Sequence, residues 1–276
     1  MPMRGLLLFS LVIFICQLTT AQFDDDLVFK ERFNLEVIQI EEFFQRFNYS
    51  DNTRLIKYLH NNYPDLKVNR RAFVKSLFES TYYNNNVLLI NSFVDYICDK
   101  NNPIYVDFYD KEWFAEVQIV IEAQGRVEDA KLILKSQLAA DSSSKWVIEG
   151  VSSELFNIPR TGDSMGILSP VSHGTDFIAL YNIIKNGKNV INYFSDDFNI
   201  DQLTFLAVLM YYNKISIKDI KSIKYHFLQI PDWLFTVSYI NRKELNTGWL
   251  ITELKLLSHR EKEVYKNEIL NIKESD

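Results

Sequence analysis

The sequence predicts an α+β fold in which N-terminal helices pack on a curved antiparallel sheet. Between residues 27 and 98, apolar side chains recur at spacings of three and four, the period of amphipathic helices. From residue 113 to 138 the period changes to two, which is typical of half-buried strands. Alternation returns between residues 223 and 257, so strands are also expected near the carboxyl end.

Four helices are predicted in the first third of the chain, over residues 27–47, 51–61, 69–78 and 87–98. Pro64 closes the second helix, and Asn69 is placed to cap the third. The fourth stops at Asn101-Asn102-Pro103.

The strands are predicted as two meanders separated by an irregular segment. Residues 113–123, 129–138 and 145–152 form the first, with a turn at Gln124-Gly125-Arg126. Residues 156–175 concentrate glycine and proline and are predicted as a junction loop. Helices at 176–185 and 201–212 follow, then the second meander (223–227, 233–239, 249–257) and a charged helix at 260–272.

This order of elements resembles the NTF2-like (cystatin-like α+β) cone. The resemblance rests on the helices of residues 27–98, the hairpin of 113–138 and the closing strands at 233–239 and 248–257. It implies a cavity on the concave face of the sheet. The helices at 176–212 would then be an insertion. The layout also resembles uncharacterised exported proteins of Gram-negative anaerobes, for which no activity is implied.

Domain organisation has two interpretations. In one, a single domain carries the helical insertion. In the other, residues 22–155 and 176–276 are separate α+β domains, each with helices before a three-strand meander, joined by the 156–175 loop.

Residues 1–21 are predicted to be a cleavable signal peptide. Arg4 precedes an apolar run at residues 6–15, and small or polar residues lead to a cleavage site between Ala21 and Gln22. Ten apolar residues are too few to span a bilayer, which needs about 17–25. Export to the periplasm or the exterior is expected, with no membrane span after cleavage. A lipoprotein anchored at Cys16 is disfavoured because Ile15, not a small residue, precedes it.

Composition narrows the function classes. The net charge of −6 gives no basic surplus for nucleic-acid binding, so no nucleic-acid partner is expected. After signal cleavage Cys98 is the one remaining cysteine, which excludes an internal disulfide and favours a buried, inert thiol. The histidines do not stand at metal-ligand spacing, and neither a metal nor another cofactor is expected.

The segment 169–176 brings Ser172, His173 and Asp176 together in sequence, flanked by Pro170 and Gly174. These are the residue types of a hydrolytic triad, but triad members normally converge from distant segments. A loop whose last residues cap the next helix is the alternative interpretation. The three residues are retained as candidates for binding.

His226 and the pair Glu116 and Glu122 are the candidates for acid–base chemistry. His226 lies in a strand on the face opposite Tyr225, where it is either a surface histidine or a base inside a cavity. Glu116 and Glu122 share a strand face and are either a cavity acid pair or part of a solvated sheet face.

Tryptophans stand at or near the starts of the predicted strands. They either line a carbohydrate-binding groove or anchor the core, and Trp233 and Trp249 are retained as binding candidates. The four are Trp113, Trp146, Trp233 and Trp249. A side hypothesis assigns residues 163–165 (Asp-Ser-Met) to O-glycosylation.

The function expected from these observations is a non-enzymatic binding or accessory module of the cell envelope, recognising a small molecule, a glycan or an envelope protein. The alternative is a hydrolase or isomerase that uses an NTF2-like cavity. A third interpretation makes the 155–174 loop the contact surface for an envelope partner.

Overall fold

The computed structural model describes residues 36–51, 53–66, 68–138, 144–157, 181, 185, 193–195, 201–242 and 246–272. Within these ranges the α-helices are α1 (Ile40–Asn48), α2 (Arg54–Asn62), α3 (Arg70–Ser76), α4 (Ser80–Asn85), α5 (Val87–Ile97), α6 (Gln202–Tyr211) and α7 (His259–Glu268). The strands are β1 (Trp113–Ala123), β2 (Arg126–Leu138), β3 (Ser144–Ser152), β4 (Ile215–Phe227), β5 (Trp233–Ile240) and β6 (Gly248–Leu256). A 3-10 turn covers Glu154–Phe156. The predicted α+β class is confirmed.

The strands form one curved antiparallel sheet in the order β3-β2-β1-β4-β5-β6. Consecutive strands therefore neighbour each other in two runs of three, as the alternation predicts. The predicted turn at residue 124 is present, and Gln124 and Gly125 both have positive φ, at 52° and 78°. Two such residues in succession match the right-handed twist of a hairpin.

The chain divides into two compact units, each assembled from separate stretches of sequence. The first unit takes the described parts of Met1–Ala115, Lys135–Trp146 and Ile223–Tyr265. The second takes those of Glu116–Leu134, Val147–Ser222 and Lys266–Asp276.

The core of the first unit is aromatic. Phe43 and Phe47, on one face of α1, lie 6.1 and 5.6 Å from the ring of Phe235 on β5. Phe235 in turn stacks on Phe227 of β4, with ring centroids 4.6 Å apart. Trp113 at the start of β1 stacks on Phe227 at 5.6 Å. The helix period of α1 and the strand period of β4 and β5 thus direct aromatic rings to the same place.

Helices α2 and α3 start at side-chain caps. Thr53 accepts a hydrogen bond from the Ile56 amide at the start of α2, and Asn69 accepts one from the Ala72 amide at the start of α3. The predicted Asn69 cap is therefore confirmed. Behind these caps, α2 and α3 bury a second small cluster, formed by Leu55, Ile56, Leu59 and Phe73.

The second unit has a smaller and mainly aliphatic core. Its buried members come from β1, β2, β3, the 3-10 turn and α6: Ile119, Ile121, Ala130, Val151, Phe156, Leu206 and Leu209. Asp201 caps α6 by accepting a hydrogen bond from the Thr204 amide at 3.1 Å.

Three predicted ranges differ from the structure, and one helix is missed. The first predicted helix does not include residues 36–39, because Val37 forms a parallel bridge with Gly248, and the described helix begins at Ile40; residues 27–35 of that prediction lie outside the described residues. Helix α4 is missed, since its residues (STYYNN) carry no apolar stripe. Strand β4 starts at Ile215 rather than 223, and its exposed charges hide the alternation. The final helix ends at Glu268, four residues early, and Asn271 has a positive φ of 53°.

Candidate functional site

A cleft of about 490 Å³ in the first unit lies between α1 and the loop that leads into β1. We call it the α1 cleft. Its lining combines carboxylate, amide, hydroxyl and aromatic groups: Glu41, Phe44, Gln45, Asn48, Ser50, Val106, Asp107, Phe108 and Tyr109. The volume falls within the range of about 300–1,000 Å³ that small-molecule sites occupy.

The polar wall of the cleft follows from the period of α1. Glu41, Gln45 and Asn48 stand at i, i+4 and i+7 and therefore share one helix face. Phe43 and Phe47 occupy the opposite face and are fully buried. The helix ends after Asn48 because Tyr49 adopts a left-handed conformation with a φ of 57°. The same burial that anchors α1 thus turns its polar side toward the cleft.

Two side-chain amides hold the facing loop. Asn48 donates through Nδ2 to the Val106 carbonyl (2.7 Å) and accepts from the Val106 amide (3.0 Å). Gln229 accepts from the Asp107 amide at 2.6 Å and donates to the Asp107 carbonyl at 3.3 Å. Both backbone groups of two successive residues are therefore paired, which fixes this part of the loop.

Arg70 and Trp113 extend the restraint along the loop. The Arg70 guanidinium donates to the carbonyls of Phe47 (3.0 Å) and Ile97 (2.8 Å), and also to that of Ile104. Burial lowers the pKa of Arg70. The indole Nε1 of Trp113 donates to the Phe108 carbonyl at 3.0 Å. The loop is consequently held at Ile104, before the cleft wall, and at Phe108 within it.

The aromatic wall presents an exposed ring on a packed base. Tyr109 is 56% exposed. Its ring meets Phe108 edge-on with centroids 5.6 Å apart. Phe108 packs against Phe44 at 5.3 Å and against Trp113 at 5.1 Å. Tyr109 can therefore offer ring surface to a ligand, while the half-buried Phe108 beside it packs against the buried Phe44 and Trp113.

The charge of the cleft is negative. Glu41 and Asp107 contribute carboxylates, and none of the described residues that line the cleft is lysine, arginine or histidine. Glu41 accepts a hydrogen bond from Gln45 at 3.3 Å, and Asp107 accepts one from the Tyr109 amide at 2.9 Å. The arrangement can bind groups that donate hydrogen bonds, such as hydroxyl or ammonium groups.

His226 is buried in the first unit, at 2% exposure, so its interpretation as a surface histidine is wrong. Its Nδ1 lies 2.9 Å from the Tyr265 hydroxyl of α7. Its neighbours in sequence, Tyr225 and Phe227, contact Trp113 at 5.9 and 5.6 Å on the other face of the sheet. The predicted alternation is confirmed. The side chain of His226 lies on the face opposite the aromatic core, where it is buried against Tyr265 of α7.

The two candidate carboxylates both lie on β1 in the second unit. Glu122 forms an ion pair with Lys218 of β4, and both side chains remain partly exposed. Glu116 accepts a hydrogen bond from Gln118 at 3.0 Å.

The four tryptophans divide into two pairs, all within the first unit. Trp113 and Trp233 are buried, and Trp233 packs against Phe93 at 5.2 Å. Trp146 is 41% exposed and Trp249 is half-buried. The second pair joins two tyrosines in a continuous aromatic row, whose order is Trp146, Tyr225, Trp249 and Tyr239. Core anchoring is thus confirmed for Trp113 and Trp233.

Several predicted features lie outside the described residues. These are the signal peptide with its Ala21–Gln22 cleavage site, Cys16, the 163–165 glycosylation motif, and Ser172, His173 and Asp176.

Sequence reasoning missed the loop wall of the α1 cleft. Residues 105–110 read Tyr-Val-Asp-Phe-Tyr-Asp and follow the predicted helix stop at Asn101-Asn102-Pro103 after one residue, Ile104. An alternation of aromatic and acidic residues in a short loop is a compositional signal for a binding segment, because loops carry function.

Comparisons with known proteins do not assign this chain to a class of protein. No protein-family model, no curated protein and no solved structure matches this chain. Within the described residues, no cluster of histidine, cysteine, aspartate or glutamate is arranged to hold a metal ion. None of the described helices is long and apolar enough to cross a membrane. The case for a function therefore rests on the geometry of the cleft.

Proposed function

We propose that this chain is a non-enzymatic binding module of the cell envelope that recognises a polyhydroxylated ligand, a glycan, in the α1 cleft. One observation carries the proposal. A restrained loop holds the exposed ring of Tyr109 and the carboxylate of Asp107 opposite Glu41 and Gln45 of α1.

The chemistry of the lining fits a sugar. Each pyranose ring has an apolar face of C–H groups that can pack on an aromatic ring such as Tyr109. Its hydroxyl groups donate to carboxylates and both donate to and accept from amides. Glu41, Asp107 and Gln45 supply these partners on facing walls. An anionic ligand would meet two carboxylates here and is disfavoured.

Preorganisation supports binding. The backbone of Val106 and Asp107 is already paired through Asn48 and Gln229. A ligand that enters such a cleft need not order the loop, so less of the interaction free energy is lost to conformational entropy.

The alternative function, a hydrolase or isomerase, depends on His226 as a base with Glu116 or Glu122. His226 is enclosed and hydrogen-bonded to Tyr265, and Glu122 is paired with Lys218. A base must reach the proton that it removes. The binding function needs no such group, and we prefer it for that reason.

The setting is part of the same proposal. Residues 1–21 would direct export, with cleavage between Ala21 and Gln22, and the folded chain would act in the periplasm or outside the cell. An NTF2-like relationship remains the proposed ancestry. It is supported by the packing of α1 against one face of a curved antiparallel sheet.

The test is a glycan array followed by calorimetric titration of the best ligand. Tyr109→Ala should weaken binding at least about tenfold, equivalent to about 1.4 kcal/mol. Tyr96→Ala removes an exposed tyrosine of α5 that does not line the cleft and should leave the affinity unchanged. An equal loss in both variants, or an array without a hit, contradicts the proposal.

A further inference from the structure

The first half of β4 is exposed in a way that strands inside a sheet are not. Residues 216–222 are seven consecutive exposed residues. Pairing with β5 is recorded from Lys224 to Phe227, beyond that stretch. Within the described residues, β4 therefore has β1 on one side and an open edge on the other along residues 216–222. An open edge carries backbone groups ready to pair with another strand.

We propose that this edge pairs antiparallel with the same segment of a second copy of the chain, centred on Ile220, and forms a symmetric dimer. In such a dimer, Ile220 faces its own counterpart across the two-fold axis. Asp219 of one copy faces Lys221 of the other, and Lys218 faces Ser222.

Charge complementarity selects this register. A two-fold axis perpendicular to the sheet must pass beside one residue, which then faces itself. Centring on Lys218, Asp219 or Lys221 places like charges directly opposite each other, which is destabilising. Centring on Ile217 places Asp219 opposite the apolar Ile215. The Ile220 centre instead gives an apolar pair flanked on both sides by opposite charges.

The usual protection of an edge is weakened here. Lysines along an edge strand normally discourage pairing. Lys218 forms an ion pair with Glu122, and Lys221 contacts both oxygens of Asp129 at 2.6 and 2.7 Å. Each of these lysines therefore already has an acidic partner within its own chain. In the proposed dimer Lys221 would lie between Asp129 of its own copy and Asp219 of the other.

The helix before β4 supplies apolar surface in the same unit. Leu206 and Leu209 of α6 are buried in the core. The outer side of this helix and the residue after it are also apolar and exposed: Val208, Met210, Tyr211 and Tyr212. A helix that is apolar on all sides is normally buried, and a large exposed apolar patch marks an interaction surface. Strand pairing alone covers little area, and this surface is available to enlarge the interface.

Disulfide trapping tests the register. In the full chain with Cys16 and Cys98 replaced by serine, Ile220→Cys should form a covalent dimer under mild oxidation. Its two Cα atoms would be about 4.5–5.5 Å apart, within disulfide range. Ser222→Cys is the matched control on the same strand face. Its two Cα atoms would be about 14 Å apart, too far to bridge.

Charge exchange tests the same pairing without cysteine. Light scattering after size-exclusion chromatography should show a dimer for the unaltered chain and a monomer for Asp219→Lys. The double variant Asp219→Lys with Lys221→Asp should restore the dimer. A monomer at all concentrations overturns the proposal, as does equal crosslinking by Ile220→Cys and Ser222→Cys.

Discussion

The two units bury different kinds of side chain. In the first, rings from α1, β1, β4 and β5 interlock, and charged groups such as Arg46, Glu79 and Lys262 lie buried beside them. In the second, mainly aliphatic residues fill the core, and the ion pairs of Lys218 and Lys221 lie at the surface.

This difference assigns different roles to the units. A buried charge must be paired or hydrogen-bonded, which fixes its neighbours in one arrangement. Lys262 shows this restraint, because its Nζ donates to the carbonyls of Leu228 and Ile230 at 2.6 and 2.5 Å. Directional contacts of this kind suit a preformed cleft. Mainly aliphatic packing, as in the second unit, suits the part of the chain whose exposed strand and helix form the proposed dimer interface.

The largest expected effect on the free energy of unfolding is that of a truncation in the aromatic core of the first unit, compared with one in the core of the second. Phe235→Ala should lower the free energy of unfolding by about 3–5 kcal/mol, because its ring is fully buried among Phe43, Phe47, Phe93 and Phe227. Leu206→Ala in the second unit should cost about 2–3 kcal/mol, since a smaller side chain leaves a smaller cavity. Chemical denaturation of both variants measures the difference. A larger loss for Leu206→Ala would contradict the comparison.

The sequence predicted the regular elements where periodicity is strong. β1 and the Asn69 cap of α3 are recovered at their observed positions. Their signals are local: an alternation over eleven residues and an asparagine before an apolar stripe. Elements fixed by distant partners were misjudged. Val37 falls within the first predicted helix, but in the structure it forms a β-bridge with Gly248, more than 200 residues away in sequence.

The candidate site was less accessible to sequence reasoning. His226 was placed correctly on the face opposite Tyr225, but its burial depends on Tyr265, 39 residues later. Gln45 and Asp107 both line the α1 cleft. The position of Asp107 depends on the hydrogen bond that its amide donates to the side chain of Gln229. Periodicity within one segment carries no information about such contacts.

A second prediction concerns buried charge in the first unit. Glu79 caps α4 by accepting from the Tyr82 amide at 2.7 Å, and it forms an ion pair with Arg242. Glu79→Gln should lower the free energy of unfolding by about 1–2 kcal/mol at pH 7. Urea denaturation from pH 7 to pH 3 measures this loss.

The loss should depend on pH with a definite sign. Burial acts to raise the pKa of Glu79, but hydrogen bonds from Tyr82 and Thr81 and the charge of Arg242 outweigh it and lower the pKa. The contribution is therefore full above the ordinary glutamate pKa of 4.5 and falls as the pH drops through the lower folded-state pKa. A difference between the variants that grows below pH 4.5 would show that the carboxylate is not stabilised in the folded state.

The smallest expected effect concerns the surface charges of the second unit. Glu122→Gln removes one partner of Lys218, but the two side chains are 35% and 49% exposed. Water already solvates both charges, so the free energy of unfolding should change by about 0–1 kcal/mol, and added salt should erase the difference. The measurement belongs at a concentration low enough to keep the chain monomeric. A loss as large as that of Glu79→Gln would mean that the second unit also depends on specific charge contacts, and the contrast between the units would then lie in their cores alone.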